Sequence, residues 1–118
     1  MPNAPAGEPL RPVELHILLT LARGARHGYA IIQETEAREG GDRLETATLY
    51  RALRRLVRAG HVRPTEPPAD ADRSDRRRRY YAITPAGRAA ARDEAARLAR
   101  LVSHARAARL LPGEGRSR

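Results

Sequence analysis

From Glu45 to Gly60 the chain reads ETATLYRALRRLVRAG. Wound as a helix, it places Leu49, Leu53, Leu56 and Val57 at i, i+4, i+7 and i+8, one continuous apolar stripe. Ala47, Arg51, Arg54 and Arg58 fall on the opposite side, with Tyr50 and Arg55 on the flanks. Glu45 or Thr46 can cap the start, and Gly60 is placed to end the helix in a left-handed turn. Such a segment must lie on a core with one face in and one face out. An outward face tiled with arginine suits a nucleic-acid groove. A merely solvated charged face is the other possibility, and the helix by itself leaves both open.

The rest of the chain bears on that choice. Its 118 residues suffice for one domain. There is no Cys, which excludes disulfides, zinc-thiolate sites and thiol catalysis. The formal net charge is +9, and all 23 basic residues are Arg, whose planar fork binds phosphate and guanine bidentately. Phe and Trp are absent, so the core must be built from Leu, Ile, Val and Ala. In so short a chain that core is thin, and association into a dimer is expected on stability grounds. No apolar run approaches the roughly 18 residues of a membrane span, and MPNAPAGEP lacks a signal-peptide core, so a cytoplasmic protein with no membrane partner is expected. His27 and His61 have no evident nucleophile or metal partner and the acids are scattered. No catalysis, metal or cofactor is expected.

In chain order, residues 1–9 are rich in Pro, Ala and Gly and are expected to be a disordered lead-in. Pro12 to Ala22 is apolar over more than one face, as for a helix buried both by its own domain and by a partner subunit. RGARHG is expected to be a turn between two glycines, and Tyr29 to Arg38 a short helix stopped by Gly40-Gly41. A short helix, a glycine-bearing link and a basic helix fit a helix-turn-helix. His61 to Glu66 and Arg78 to Thr84 are expected to pair as a hairpin around the polar loop PPADADRSDR, with Tyr81 and Ile83 on one face. Pro64 must then lie where no ladder donor is needed. Thr84-Pro85 is a helix start, and residues 85–111 run on as one helix near 39 Å long by the usual rise of about 1.5 Å per residue. Ala91, Ala95, Leu98, Val102 and Ala105, widened by Leu101, stripe it. A helix too long for its body to cover is expected to be a dimerisation arm, followed by a basic tail at 112–118. The fold class is thus mainly α with a small β-hairpin: a winged helix-turn-helix over residues 10–84 plus a long C-terminal helix.

Four pieces in this order carry a resemblance: VELHILLTLA, the turn His27-Gly28-Tyr29, the block Thr48-Leu49-Tyr50-Arg51-Ala52-Leu53-Arg54-Arg55-Leu56 with Ala59-Gly60, and Tyr80-Tyr81-Ala82-Ile83-Thr84-Pro85-Ala86-Gly87-Arg88. Together they make the chain similar to the PadR family of bacterial transcriptional regulators, in its short form with a single C-terminal helix. The resemblance implies a homodimeric repressor of a double-stranded DNA operator, released by a small molecule or other signal. It places Leu15 and Leu18 of the first helix with Leu98, Leu101, Val102 and Ala105 of the last in the dimer interface. It associates Tyr50 with DNA contact. Thr48, Arg51, Arg54 and Arg55 join Tyr50 on or beside the outward face, and the wing arginines Arg76, Arg77, Arg78 and Arg79 suit phosphates or the adjacent minor groove. Tyr29 is expected to pack between the second and third helices. The chain departs from the family pattern at Glu45, where a capping Ser is frequent, and in lacking the Trp on which short members stack planar drugs. Any effector is therefore expected to be a small apolar molecule in a Leu, Ala and Val cleft. A sequence-indifferent architectural or RNA-binding winged helix, and a module for acidic protein partners, remain as alternatives.

Overall fold

The computed structural model describes residues 9–38 and 43–113. In chain order it comprises α1 (Pro12–Leu21), β1 (Arg26–His27), α2 (Gly28–Arg38), α3 (Thr46–Arg58), β2 (Val62–Thr65), a 3-10 turn (Asp75–Arg77), β3 (Tyr80–Ile83) and α4 (Pro85–Ala107). The expected lead-in, apart from Pro9, lies outside the described residues, as do the Gly40-Gly41 helix stop and residues 114–118 of the tail.

α1 is the centre of the domain. Pro12 begins it where a missing N–H is no loss, and Glu14 Oε1 accepts the Arg11 N–H at 2.9 Å. α1 packs against α2, α3, α4 and β3, which is why Ile17, Leu18, Thr20 and Leu21 are all fully buried. Ile31 of α2, Leu49, Leu53 and Leu56 of α3, Val62 and Tyr81 complete the core. One expectation is corrected here. Leu18 has no surface left for a partner, because its own chain surrounds it; Leu19, 39% exposed, is the outward leucine of α1, and Leu15 is half-buried.

The stretch RGARHG contains a strand as well as a turn. Arg26 lies opposite Tyr81 and His27 opposite Tyr80, giving an antiparallel sheet in the order β1-β3-β2. Two residues carry no period that a sequence could display, and only the presence of β3 beside them makes a strand. β2 pairs with the other side of β3 from Val62↔Ile83 to Thr65↔Tyr80. It is an edge strand, the place where a sheet tolerates Pro64.

The end of α3 and both ends of α4 are set by local chemistry. α3 closes with the Gly60 N–H on the Val57 carbonyl and the His61 N–H on that of Leu56, which requires the left-handed φ of 83° at Gly60. Thr84 caps α4 by accepting the Gly87 N–H at 3.0 Å, while its own hydroxyl donates to the Gly60 carbonyl at 2.6 Å. The 23 residues of α4 span about 35 Å. The helix closes short of residue 111: Arg109 takes φ 65° and the Leu110 N–H returns to the Ala105 carbonyl, so Leu110 and Leu111 lie beyond its end. Its inner face runs through Gly87, Ala91 and Glu94, with Ala95 outside. The buried Glu94 carboxylate is held by Arg97, whose hydrogen bonds keep its pKa below the usual carboxylate value.

Candidate nucleic-acid interface

α3 delivers the face expected of it. Arg51, Arg54 and Arg58 project outward with Ala47, while Leu49, Ala52, Leu53 and Leu56 turn into the core. Val57, at the edge of the stripe, is 36% exposed. Thr48 is half-buried, and its hydroxyl accepts a long hydrogen bond of 3.4 Å from Arg51 Nη2. Glu45 begins the helix without any side-chain cap.

The two flanks differ from expectation. Arg55 turns back onto α1, where its Nε donates to Glu14 Oε2 at 2.7 Å. Glu14 is buried, and a buried carboxylate needs a counter-charge. Arg55 is therefore a cross-brace between α1 and α3 rather than one of the outward arginines. Tyr50, on the other flank, is half-buried with its ring over Gly28, and its hydroxyl lies at the start of α2 instead of on the open face. A Cβ at position 28 would overlap that hydroxyl and come within 2.8 Å of Tyr50 Cζ. The signal for this contact was a glycine at a helix start that no local rule requires.

The wing is fastened to α2 by a cluster that sequence patterns did not disclose. His27 Nδ1 accepts the Ala30 N–H at 3.1 Å and so caps α2. Its ring stacks at 6° on Tyr29, centroids 6.5 Å apart, and meets Tyr80 edge-on at 5.3 Å. Arg78 lies 5.6 Å above the Tyr29 ring, and its Nε donates to Asp75 Oδ1 at 3.1 Å. Tyr29 is thus 53% exposed at the base of the wing, not packed between helices, and its ring contacts are with His27 and Arg78. Asp72 accepts the Asp75 N–H and the Ser74 hydroxyl, bonds that hold its own pKa below the ordinary value.

The four wing arginines divide accordingly. Arg76 donates to the Pro68 and Ala69 carbonyls, and Arg78 is engaged by Asp75 and Tyr29. Arg77 and Arg79 are exposed and make no hydrogen bond to the described residues. Those two remain to meet a partner.

His27 also couples this cluster to pH. Burial first, and then the Arg78 charge, push its pKa below 6.5, against the opposing pull of Asp75 and Asp72. The unfolded chain binds a proton near pH 6.5 while the folded protein still resists it, so the unfolded state binds more protons and stability falls as pH drops below about 6.5. The loss levels off below the folded pKa. Protonation would also replace the Nδ1 lone pair that caps α2. Urea unfolding at about pH 7 and about pH 5.5 should show a larger loss for the parent than for His27→Asn, which keeps a capping oxygen and cannot titrate. Equal losses would assign the pH dependence elsewhere.

Among the described residues there is no group of three or more His, Asp or Glu placed to hold a metal, and no helix long and apolar enough to cross a membrane. The sequence model of the transcriptional regulator PadR-like family matches residues 17–93, from α1 into α4. An uncharacterized 37.1 kDa protein of transposon Tn4556 from Streptomyces fradiae is 40% identical over 88 residues, covering 75% of this chain and 23% of that protein. The chain therefore spans about a quarter of that relative's length. A transcriptional regulator from Clostridium thermocellum has a similar structure, with a TM-score of 0.62 at 27% identity, over 78% of this chain and 86% of that one. A PadR family transcription regulator from hypervirulent Clostridium difficile R20291 gives a TM-score of 0.66 over 80% of this chain and 94% of the other. At 21% identity, that second likeness speaks for the fold alone.

Proposed function

Since this chain belongs to the PadR-like family of transcriptional regulators, a family of regulators and not of enzymes, we propose that it is a homodimeric, sequence-specific repressor. Two copies of α3 enter successive major grooves of an operator. The observation that carries this reading is the outer face of α3, where Arg51 and Arg54 are exposed near the middle of a helix whose other side is locked in the core. Thr48 and Arg51 lie nearest the helix start, and Arg54 one turn further on. Tyr50 contributes from the edge, where its hydroxyl and the start of α2 share one place. Arg77 and Arg79 of the wing hold the backbone.

The dimer is supported by what α4 leaves uncovered. Leu98, Leu101 and Val102 are exposed at i, i+3 and i+4, with Ala105 continuing the row, and Leu19 is exposed on α1. Paired through these helices, the two copies of α3 are expected about one DNA turn, roughly 34 Å, or a multiple apart. A small apolar effector entering between the paired helices would meet Leu, Val and Ala surfaces, with no Trp or Phe ring to stack on.

The test is a gel-shift comparison of the region upstream of the protein's own gene with a random duplex of equal length. Specific regulators prefer their site by about a thousandfold or more, and a preference of tenfold or less would overturn the reading in favour of sequence-indifferent binding. Within the same assay, Arg54→Ala should cost about 1–3 kcal/mol on the preferred site and relax discrimination. Arg77→Ala should weaken all duplexes alike and reduce the salt slope by about one. Identical behaviour of the two variants would refute the division between reading and holding.

A further inference from the structure

On the flank of α3 away from the wing, a cleft of about 340 Å³ opens between the start of α1 and the outer face of α3. Arg11, Arg51, Arg54 and Arg58 line it, together with Glu14 and Thr48. The one carboxylate in that lining is already answered, since Glu14 accepts from Arg55 Nε and from the Arg11 backbone N–H. Four arginines therefore line a concavity whose one carboxylate is already engaged, an arrangement that concentrates positive potential and favours a bound anion. The backbone of Arg11 is held at the rim by the same Glu14 that braces α3, although nothing in its local sequence marks it.

The placement of the cleft says which anion. Tyr50 and Arg55 are five residues apart, so they lie about 140° apart around the helix. Tyr50 contacts Gly28, beside His27 and the base of the wing, whereas Arg55 contacts α1. The outward face of α3 is thus bounded by the wing on one flank and by Arg11 on the other. A helix seated in a major groove has a row of phosphates on each side of it, and bidentate arginine forks match phosphate oxygens. We infer that this cleft is the seat of a DNA backbone phosphate, clamped by Arg11 and Arg58 on the strand opposite the one held by the wing. The inference rests on the operator-binding reading above and extends its footprint to α1.

The experiment measures affinity of the full chain for the preferred duplex and for a random duplex across a salt series from about 50 to about 200 mM, where each neutralised phosphate contributes about 0.9 to the log–log slope. Arg11→Ala and Arg58→Ala should each lower the slope by about one and weaken both duplexes by the same factor. Arg100→Ala, an exposed change on α4, should leave slope and affinity unchanged. Circular dichroism of all three variants should match the parent. Unchanged slopes for both Arg11→Ala and Arg58→Ala overturn the inference while leaving operator binding intact; a parent that binds no duplex fails the operator reading itself. Titration with pyrophosphate supplies the remaining arm. Saturable binding that Arg11→Ala abolishes, with duplex slopes unaltered, would give the cleft to a free phosphorylated ligand and overturn its assignment to DNA.

Discussion

Gly87→Ala should lower the unfolding temperature by on the order of 10 °C, corresponding to a loss of about 3 kcal/mol. Helix propensity alone argues the other way, because alanine stabilises a helix interior by about 1 kcal/mol over glycine. The contact decides the sign. A Cβ on Gly87 would overlap the His61 carbonyl oxygen and come within 2.9 Å of Ile83 Cγ1. That carbonyl cannot swing aside, since it accepts the Thr84 N–H at 3.1 Å, and the neighbouring Gly60 carbonyl accepts the Thr84 hydroxyl. The first turn of α4 is therefore laid directly on the backbone that leaves α3. Differential scanning calorimetry of the variant checks this, and an unchanged or raised transition temperature would show that the turn has room to adjust. Any displacement of α4 also changes the angle at which the arm leaves the DNA-binding domain, so residual operator affinity should fall with stability.

Leu101→Glu should convert a dimer into a folded monomer and weaken operator binding about a hundredfold or more. Leu101 is 51% exposed on the part of α4 that runs past the domain, so a carboxylate there faces water in the monomer. In a Leu, Val and Ala seam the same carboxylate is buried without a partner, and symmetry supplies a second one. Two half-sites bound by one dimer gain from effective concentration, typically by a factor of 10² to 10⁴, and that gain disappears when the arms separate. Sedimentation at micromolar concentration with a helical circular-dichroism spectrum provides the check. A parent that sediments as a monomer, or a Leu101→Glu variant that remains a dimer, would refute the arm as the source of dimerisation.

The two variants test different kinds of information. The amphipathic period of α3, the Thr84-Pro85 start of α4 and the alternation of Tyr81 and Ile83 all reside in local spacing. Helix and strand periods project directly onto faces, so spacing sufficed for the helices, the hairpin and the basic outer surface. Element ends were less accessible. α4 ends at Ala107 because Arg109 adopts a left-handed turn that its residue type does not announce.

By itself the sequence determined the fold class, the order of the helices and the hairpin, and the face of α3 that carries Arg51 and Arg54. Tertiary structure alone decided how the remaining arginines are employed. Arg55 belongs to the buried Glu14, Arg78 to Asp75 and Tyr29, and Arg76 to the loop carbonyls, while Arg77 and Arg79 stay open to solvent. Composition and period assign these residues the same charge and similar surface placement. Which guanidinium is satisfied within the chain depends on distant partners brought close by packing, 41 residues away for Arg55. Gly28 and Gly87 carry the same lesson: each is glycine because a distant group, the Tyr50 ring or the His61 carbonyl, occupies the space its side chain would fill.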